Sequence, residues 1–70
     1  MRRTPVSSSN LASVGYIRER RLLEIEFQNG HLYEYYAVPE AIYRGLLHAA
    51  SPGEYFTSHI RDRYRFRQLR

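Results

Sequence analysis

The sequence predicts an α+β fold in which a three-stranded antiparallel meander is followed by two helices packed on one face (β-β-β-α-α). Residues 22–28 alternate between apolar and polar side chains, which is typical of an antiparallel strand with one wet face. The Asn29-Gly30 pair that follows is a strong hairpin signal, because both residue types tolerate positive φ. Beyond Val38-Pro39, apolar residues recur at helical spacing and predict a cover for the sheet.

The first predicted strand covers residues 11–17, where apolar side chains recur at period-two spacing. We expect residues 1–5 to form a flexible N-terminus. The serines that follow are expected to turn the chain into the strand. An isolated glycine inside a strand, here Gly15, predicts a bulge or a close backbone approach.

The second predicted strand directs Leu23, Ile25 and Phe27 toward the core and leaves Leu22 on the wet face. A polar turn precedes this strand, so the first two strands are expected to be antiparallel neighbours.

The third predicted strand, residues 32–36, is rich in aromatic side chains, as strands often are. Tyr33 and Tyr35 share one face, and Glu34 lies between them on the other. We therefore assign both tyrosines to the core side as structural residues, with base stacking on an exposed pair as the alternative. Tyr36 falls on the opposite face and is the better candidate for a stacking platform.

Two helices are predicted after the strands. The first spans residues 39–50, with Pro39 suited to its first position. Gly45 is a weak point inside it, costing about 1 kcal/mol against Ala unless a close contact requires glycine. Residues 51–54, Ser-Pro-Gly-Glu, match a capping box and predict a second helix that runs to about Arg61.

The net charge of +4 lies at the C-terminus. Residues 1–60 balance six arginines against six acidic residues, whereas residues 61–70 hold five arginines and only Asp62 as an acid. Every basic residue is Arg, whose planar fork suits phosphate and stacks on bases. Genome base composition is an equally good explanation of the Arg-only usage.

An ordered set of residues along most of the chain resembles the KTSC domain, the short module named for the C-terminus of some lysyl-tRNA synthetases. The family also occurs as free-standing small bacterial or phage proteins. The resemblance implies a single domain over residues 6–64, followed by a basic tail, residues 65–70. Ile17 and Thr57 depart from the family, which often has Asp and Asn there. The matching residues are Val6, Ser8, Ser9, Val14, Gly15, Tyr16, Leu23, Phe27, Gly30, Tyr33, Glu34, Tyr35, Val38, Pro39, Tyr43, Leu46, Ser51, Gly53, Tyr55, Phe56 and Ile60.

Arginines alternate with aromatic residues, Phe66 among them, in the last ten residues, as in segments that bind single-stranded RNA. The alternative is a solvated tail whose Tyr64 and Phe66 fold back onto the core. The association with a synthetase points the same way, so RNA or tRNA is the expected partner. The candidate contact residues are Arg61, Arg63, Tyr64, Arg65, Arg67, Arg70 and Tyr36.

No catalytic motif, phosphate-binding loop or paired-acid pattern is present, so we expect a binding module and not an enzyme, with no cofactor. Three histidines at spacings that match no zinc pattern, and the absence of cysteine, predict no metal site. The alternative function is protein interaction or self-assembly, for example as a homodimer, through an open sheet edge or an apolar patch. No apolar run is long enough to cross a membrane, and a cytoplasmic location is the default expectation.

Overall fold

Five antiparallel strands form one sheet in the computed structural model of the protein, which describes residues 3–70. Each strand pairs with its neighbour in sequence, so the order across the sheet is β1-β2-β3-β4-β5. The predicted α+β class with an antiparallel sheet and two helices is confirmed, whereas the predicted number of three strands is wrong. The elements are β1 Thr4–Pro5, β2 Leu11–Ile17, β3 Leu22–Phe27, β4 Leu32–Tyr35, α1 Glu40–His48, α2 Pro52–His59 and β5 Phe66–Gln68.

The two additional strands come from the segments that we expected to be a flexible end and a tail. Thr4 lies opposite Val14, so β1 extends the sheet beyond β2. Residues 1–2 of the expected flexible end lie outside the described residues. At the other edge, Phe66 lies opposite Tyr35. Both strands are too short to show a clear period in sequence, and they form because β2 and β4 offer unpaired backbone groups.

The hairpin between β2 and β3 turns through a short 3-10 helix, Arg18–Arg20. Arg21 then adopts a left-handed conformation with φ of 50°. The register is regular along Gly15, which lies opposite Glu24. The irregularity that we predicted at Gly15 instead lies between Leu11 and Ser13.

The hairpin between β3 and β4 turns at Asn29 and Gly30, as predicted. Gly30 takes a φ of 91°, which glycine adopts at little cost. The Asn29 side chain accepts a hydrogen bond from the backbone N–H of His31 at 3.0 Å. The backbone N–H of Phe27 donates to the His31 carbonyl at 2.8 Å and closes the turn.

The two helices cover the inner face of the sheet. Ser51 caps α2, since its side chain accepts a hydrogen bond from the Glu54 N–H at 3.3 Å, as the capping box predicted. Gly45 in α1 faces the Tyr55 ring, and a Cβ built on it would lie only 2.6 Å from the ring carbon Cζ. A close contact between the helices therefore accounts for a glycine in the middle of α1.

The core lies between the helices and the inner face of the sheet. Leu23 and Ile25 are fully buried there, as the alternation in β3 predicts, and Tyr35 is 4% exposed. The opposite face is less wet than expected, because Leu22 is only 2% exposed and lies opposite Ile17 at the end of the β2–β3 hairpin. Along the part of the chain that is described, no helix has the length and apolarity needed to span a membrane.

Candidate nucleic-acid interface

The C-terminal segment belongs to the sheet, and the side chains of β5 alternate between its two faces. The Phe66 ring lies on the inner face, with its centroid 5.5 Å from that of Tyr33 and 5.7 Å from that of Tyr35. Arg67 lies on the outer face, where its guanidinium is 3.7 Å from the Glu34 carboxylate. The alternating arginines and aromatic residues of this segment therefore do not form one surface.

Two of the predicted phosphate-binding arginines pair with carboxylates of the outer face. Arg67 pairs with Glu34, and Arg70 pairs with Glu26 at 2.9 Å. Arg70 also donates from Nε to the Gly30 carbonyl at 3.0 Å. The carboxylate offsets the charge of an arginine held in this way, and fewer of its N–H donors remain free for a ligand.

The other arginines of the segment keep more of their donors. Arg63 donates from Nε to the Ser58 carbonyl at 3.1 Å, which leaves its terminal nitrogens available. Within residues 3–70, the side chains of Arg61 and Arg65 make no hydrogen bond or ion pair. The charge that remains for a ligand is thus at the beginning of the segment, before and at the start of β5.

An open groove of about 540 Å³ lies between the end of β4 and this part of the chain. It is lined by Tyr36, Ala37 and residues 63–66. The backbone N–H of Tyr36 donates to the Arg65 carbonyl at 2.9 Å, which holds the two walls together. We refer to this feature as the basic groove.

Two more arginines, from the turn between β2 and β3, lie beside the basic groove. The Val38 N–H donates to the Arg21 carbonyl at 2.9 Å, which brings this turn next to Ala37. Arg20 directly precedes Arg21 in this turn, and its charge opposes only slightly the effect of the Glu34 hydrogen bond, which raises the pKa of Tyr36. Within the described part of the chain, the guanidinium groups of Arg20 and Arg21 have no hydrogen-bonding partner.

Tyr36 is a less open stacking platform than the sequence suggests. Its hydroxyl donates to Glu34 Oε1 at 2.9 Å, and this hydrogen bond raises the pKa of Tyr36. Tyr64 packs against the core and is half-buried. Phe66 is the aromatic side chain of the segment with the largest exposure, at 56%. It stood outside the predicted contact set, although its place between two arginines was the available signal.

An aromatic cleft of about 430 Å³ lies on the other side of Phe66. Tyr35 lies at its floor, where burial, with a smaller effect of Tyr33, raises the pKa of Tyr35 to about 12. Both tyrosines lie on the core side, as the alternation in β4 predicts. The residues that line the cleft are Asn10, Phe27, Asn29, His31, Tyr33, Tyr35, Phe56, Arg61, Asp62 and Phe66.

The sequence did not indicate this aromatic cleft, because its lining comes from β3, β4, α2 and the segment before β5. The rings pack mostly edge to face or tilted, as in the Phe27–Tyr33 pair at 5.5 Å and the Tyr35–Phe56 pair at 5.8 Å. Arg61 and Asp62 are the charged residues at its rim. The cleft thus combines aromatic walls with several polar groups, among them the Arg61 guanidinium and the Asp62 carboxylate.

Two of the three histidines and Ser8 have hydrogen-bonding partners close to them in the chain. His48 and His59 each place Nδ1 near the carbonyl four residues earlier, at 2.9 and 3.3 Å. Ser8 accepts hydrogen bonds from the N–H groups of Asn10 and Leu11 and so stabilises the turn into β2. Among residues 3–70, no group of three or more His, Cys, Asp or Glu side chains is suited to a metal ion.

Comparison with known proteins gives consistent matches. The model of one family, the KTSC domain, matches residues 7–64. An uncharacterized protein of Stutzerimonas stutzeri is 46% identical over 56 residues, which cover 80% of this chain and 79% of that protein. A lysine–tRNA ligase of Nostoc punctiforme is 34% identical over 61 residues, which cover 87% of this chain but only 11% of the ligase.

Among solved structures, the crystal structure of a KTSC domain protein from Yersinia pestis superposes with a TM-score of 0.93. The two sequences are 37% identical, and the match covers 99% of this chain and 97% of the other. A likeness of this extent includes every strand and helix described above.

Proposed function

The chain belongs to the KTSC domain family, and we propose that it is a non-catalytic module that binds single-stranded RNA, or single-stranded parts of tRNA, at the basic groove. The observation that carries this proposal is the convergence, on one corner of the domain, of arginines whose terminal guanidinium nitrogens have no partner within residues 3–70. Arg20 and Arg21 come from the first hairpin, and Arg63 and Arg65 from the segment before β5.

The electrostatic support for the proposal is that only some of the arginines are free to contact phosphate. Phosphate contacts dominate the affinity of most RNA-binding surfaces, and each needs a cation that is not already neutralised. Arg67 and Arg70 are paired with carboxylates, so we assign the main phosphate contacts to Arg63 and Arg65. Arg67 would then act mainly by holding β5 in place.

The aromatic support comes from Phe66. Its ring is 56% exposed and lies at the boundary between the basic groove and the aromatic cleft, since it lines both. A base stacked on an exposed aromatic ring contributes about 1–3 kcal/mol and requires no particular sequence. Cations on one side of Phe66 and aromatic rings on the other suit a strand that presents phosphates and bases in opposite directions.

The relatives add an argument by association. The ligase of Nostoc punctiforme is named for its action on lysine and tRNA, and a segment like this chain makes up 11% of its length. A small domain within an enzyme that acts on tRNA is close to bound tRNA and can contact it. By analogy, this association favours RNA over other polyanions as the partner.

The experiment that tests the proposal is a titration of fluorescent single-stranded RNA and of bulk tRNA, followed by anisotropy at about 50 and 200 mM salt. Arg65→Ala should weaken binding and reduce the slope of log affinity against log salt by about 1. The matched control is Arg44→Ala, which also removes one positive charge, from an arginine that is paired with Glu40 on α1. Point substitution is preferred to truncation after Arg61, which would also remove β5 from the sheet.

Two outcomes would overturn the proposal. One is the absence of binding to either RNA at the lower salt concentration. The other is an equal loss of affinity in the Arg44 and Arg65 variants, which would mean that overall charge and not the basic groove attracts the RNA.

Protein interaction or self-assembly is the second proposal, and it rests on the open edge of β5. Phe66 and Leu69 are the exposed large apolar residues there, at 56% and 38%. The strand has only three residues and carries Arg67, and short charged edges pair poorly with a second chain. A molecular mass that rises with protein concentration in light scattering would favour this proposal over RNA binding.

A further inference from the structure

We infer that the aromatic cleft beside Phe66 is a subsite for one unpaired guanine base of the bound RNA. This inference rests on the proposed function and adds a base preference to it. It follows from the size of the cleft, from its aromatic lining and from the two charged groups at its rim.

The size and lining of the cleft suit a flat heterocycle. Its volume of about 430 Å³ lies in the range of small-molecule sites, and its lining mixes aromatic rings with polar groups. The ring planes of Tyr33 and Tyr35 are 19° apart, and Phe66 is tilted against both. Proteins recognise single-stranded RNA by stacking such splayed bases on aromatic rings and binding their edges by hydrogen bonds.

The charged groups at the rim determine which base fits. Within residues 3–70, the side chains of Arg61 and Asp62 have no hydrogen-bonding partner. Both residues line the aromatic cleft together with Tyr35. The lining of the cleft therefore offers one unpaired guanidinium and one unpaired carboxylate, from residues that are neighbours in the chain.

Guanine is the base whose edge matches this pair. Its Watson–Crick edge carries the O6 acceptor next to two adjacent donors, N1–H and N2–H₂. A carboxylate accepts two hydrogen bonds and a guanidinium donates, so Asp62 would take both donors and Arg61 would reach O6. Adenine, cytosine and uracil each present only one donor group on this edge and would leave part of the carboxylate unpaired.

The backbone at Asp62 is consistent with a positioned side chain. Asp62 has a φ of 64°, which costs energy in a residue other than glycine but is best tolerated by Asn and Asp. Such conformations concentrate at binding sites. Asp62→Asn is therefore a suitable test variant, because Asn also tolerates this φ. The substitution removes one hydrogen-bond acceptor and the negative charge.

The test compares RNA oligomers in anisotropy titrations at about 50 mM salt. One is an oligoadenylate of about seven nucleotides, and the others carry one central guanine or one central inosine, which lacks the N2 amino group. The wild-type protein should bind the guanine oligomer about tenfold more tightly than the oligoadenylate, with inosine between them. Asp62→Asn should reduce the preference to about twofold or less with little change for oligoadenylate.

The control variant is Glu19→Gln, which changes the net charge by the same amount at an exposed position in the 3-10 helix. It should keep the guanine preference. Equal binding of all three oligomers by the wild type would overturn the guanine subsite and leave RNA binding intact. A guanine preference that survives in the Asp62 variant would overturn the role of Asp62, and failure to bind any oligomer would overturn both proposals.

Discussion

The two faces of the sheet are stabilised by different interactions of their side chains. The inner face buries apolar and aromatic residues under two helices, with Leu23 and Ile25 fully buried. The outer face carries three glutamates, and each pairs with an arginine from an edge of the sheet, as Glu24 does with Arg3 at 2.5 Å. The difference shows that a strongly basic chain can use part of its charge within its own fold, so that only the arginines outside these pairs are available to a ligand.

The largest effect is expected from the inner face. Ile25→Ala should lower the free energy of unfolding by about 2–5 kcal/mol, because it leaves a cavity in a fully buried position. Urea denaturation followed by circular dichroism measures it. Glu26→Ala, at the next residue on the outer face, should cost about 1 kcal/mol or less. Equal losses of unfolding free energy in the two variants would contradict this contrast between the faces. If the Ile25→Ala protein does not fold, Ile25→Val can replace it in the comparison.

The buried phenol of Tyr35 should make the inner face sensitive to alkali. Its pKa rises from 10.0 to about 12 in the folded protein. Above pH 10 the unfolded chain loses the proton that the folded chain retains, so stability is complete below pH 10 and falls as the pH approaches 12. The loss should be roughly 2–3 kcal/mol.

Urea denaturation at several alkaline pH values tests this prediction, with Tyr35→Phe as the reference. In the Tyr35→Phe variant, the free energy of unfolding should fall much less between pH 10 and 12. A part of the fall remains in both proteins, because the other tyrosines also ionise. Parallel curves for the wild type and the variant would mean that Tyr35 ionises as easily in the folded state as in the unfolded one.

The contact between the helices should tolerate no side chain at Gly45. Gly45→Ala should lower the free energy of unfolding by about 1–2 kcal/mol, because the new Cβ displaces the Tyr55 ring. The steric cost is larger than this net loss, because the higher helix propensity of Ala offsets about 1 kcal/mol of it. In a Tyr55→Ala background the substitution should instead stabilise the protein. A double-mutant cycle measures the coupling, and independent effects would contradict the contact.

The smallest effect is expected from the outer-face ion pairs. Arg67→Ala should cost about 0.2–1 kcal/mol, because it removes an exposed pair with Glu34. Arg65→Ala should change stability by less than about 0.5 kcal/mol, since within residues 3–70 its side chain pairs with no other. Thermal denaturation of both variants measures this. A larger loss for Arg65 would mean that it supports the fold and is not reserved for a ligand.

Local signals in the sequence were sufficient for most elements. The alternation in β3, the turn at Gly30 and the capping by Ser51 each depend on residues close together in the chain. The edge strands were not found, since two or three residues carry no clear period. Leu22 was assigned to the wrong environment, because alternation describes a strand and not what lies against its end.

The candidate site was predictable in composition but not in arrangement. The alternation of arginine with aromatic residues drew attention to the correct segment, residues 61–70. The sequence could not show which arginines pair with carboxylates, because the carboxylate partner of Arg70 lies 44 residues away in the chain. The contribution of Arg20 and Arg21 depends on the fold, which brings their turn beside Ala37 and Val38.

The sequence by itself determined the antiparallel sheet with its two covering helices and the position of the charge, since these follow from periodicity, capping and composition. Only the tertiary structure decided that the tail becomes β5, that Arg67 and Arg70 pair with glutamates, and that Phe66 stands between a basic groove and an aromatic cleft. The physical reason is distance along the chain. Ion pairs and clefts depend on which residues of separate elements meet, and that is known only when the elements are packed.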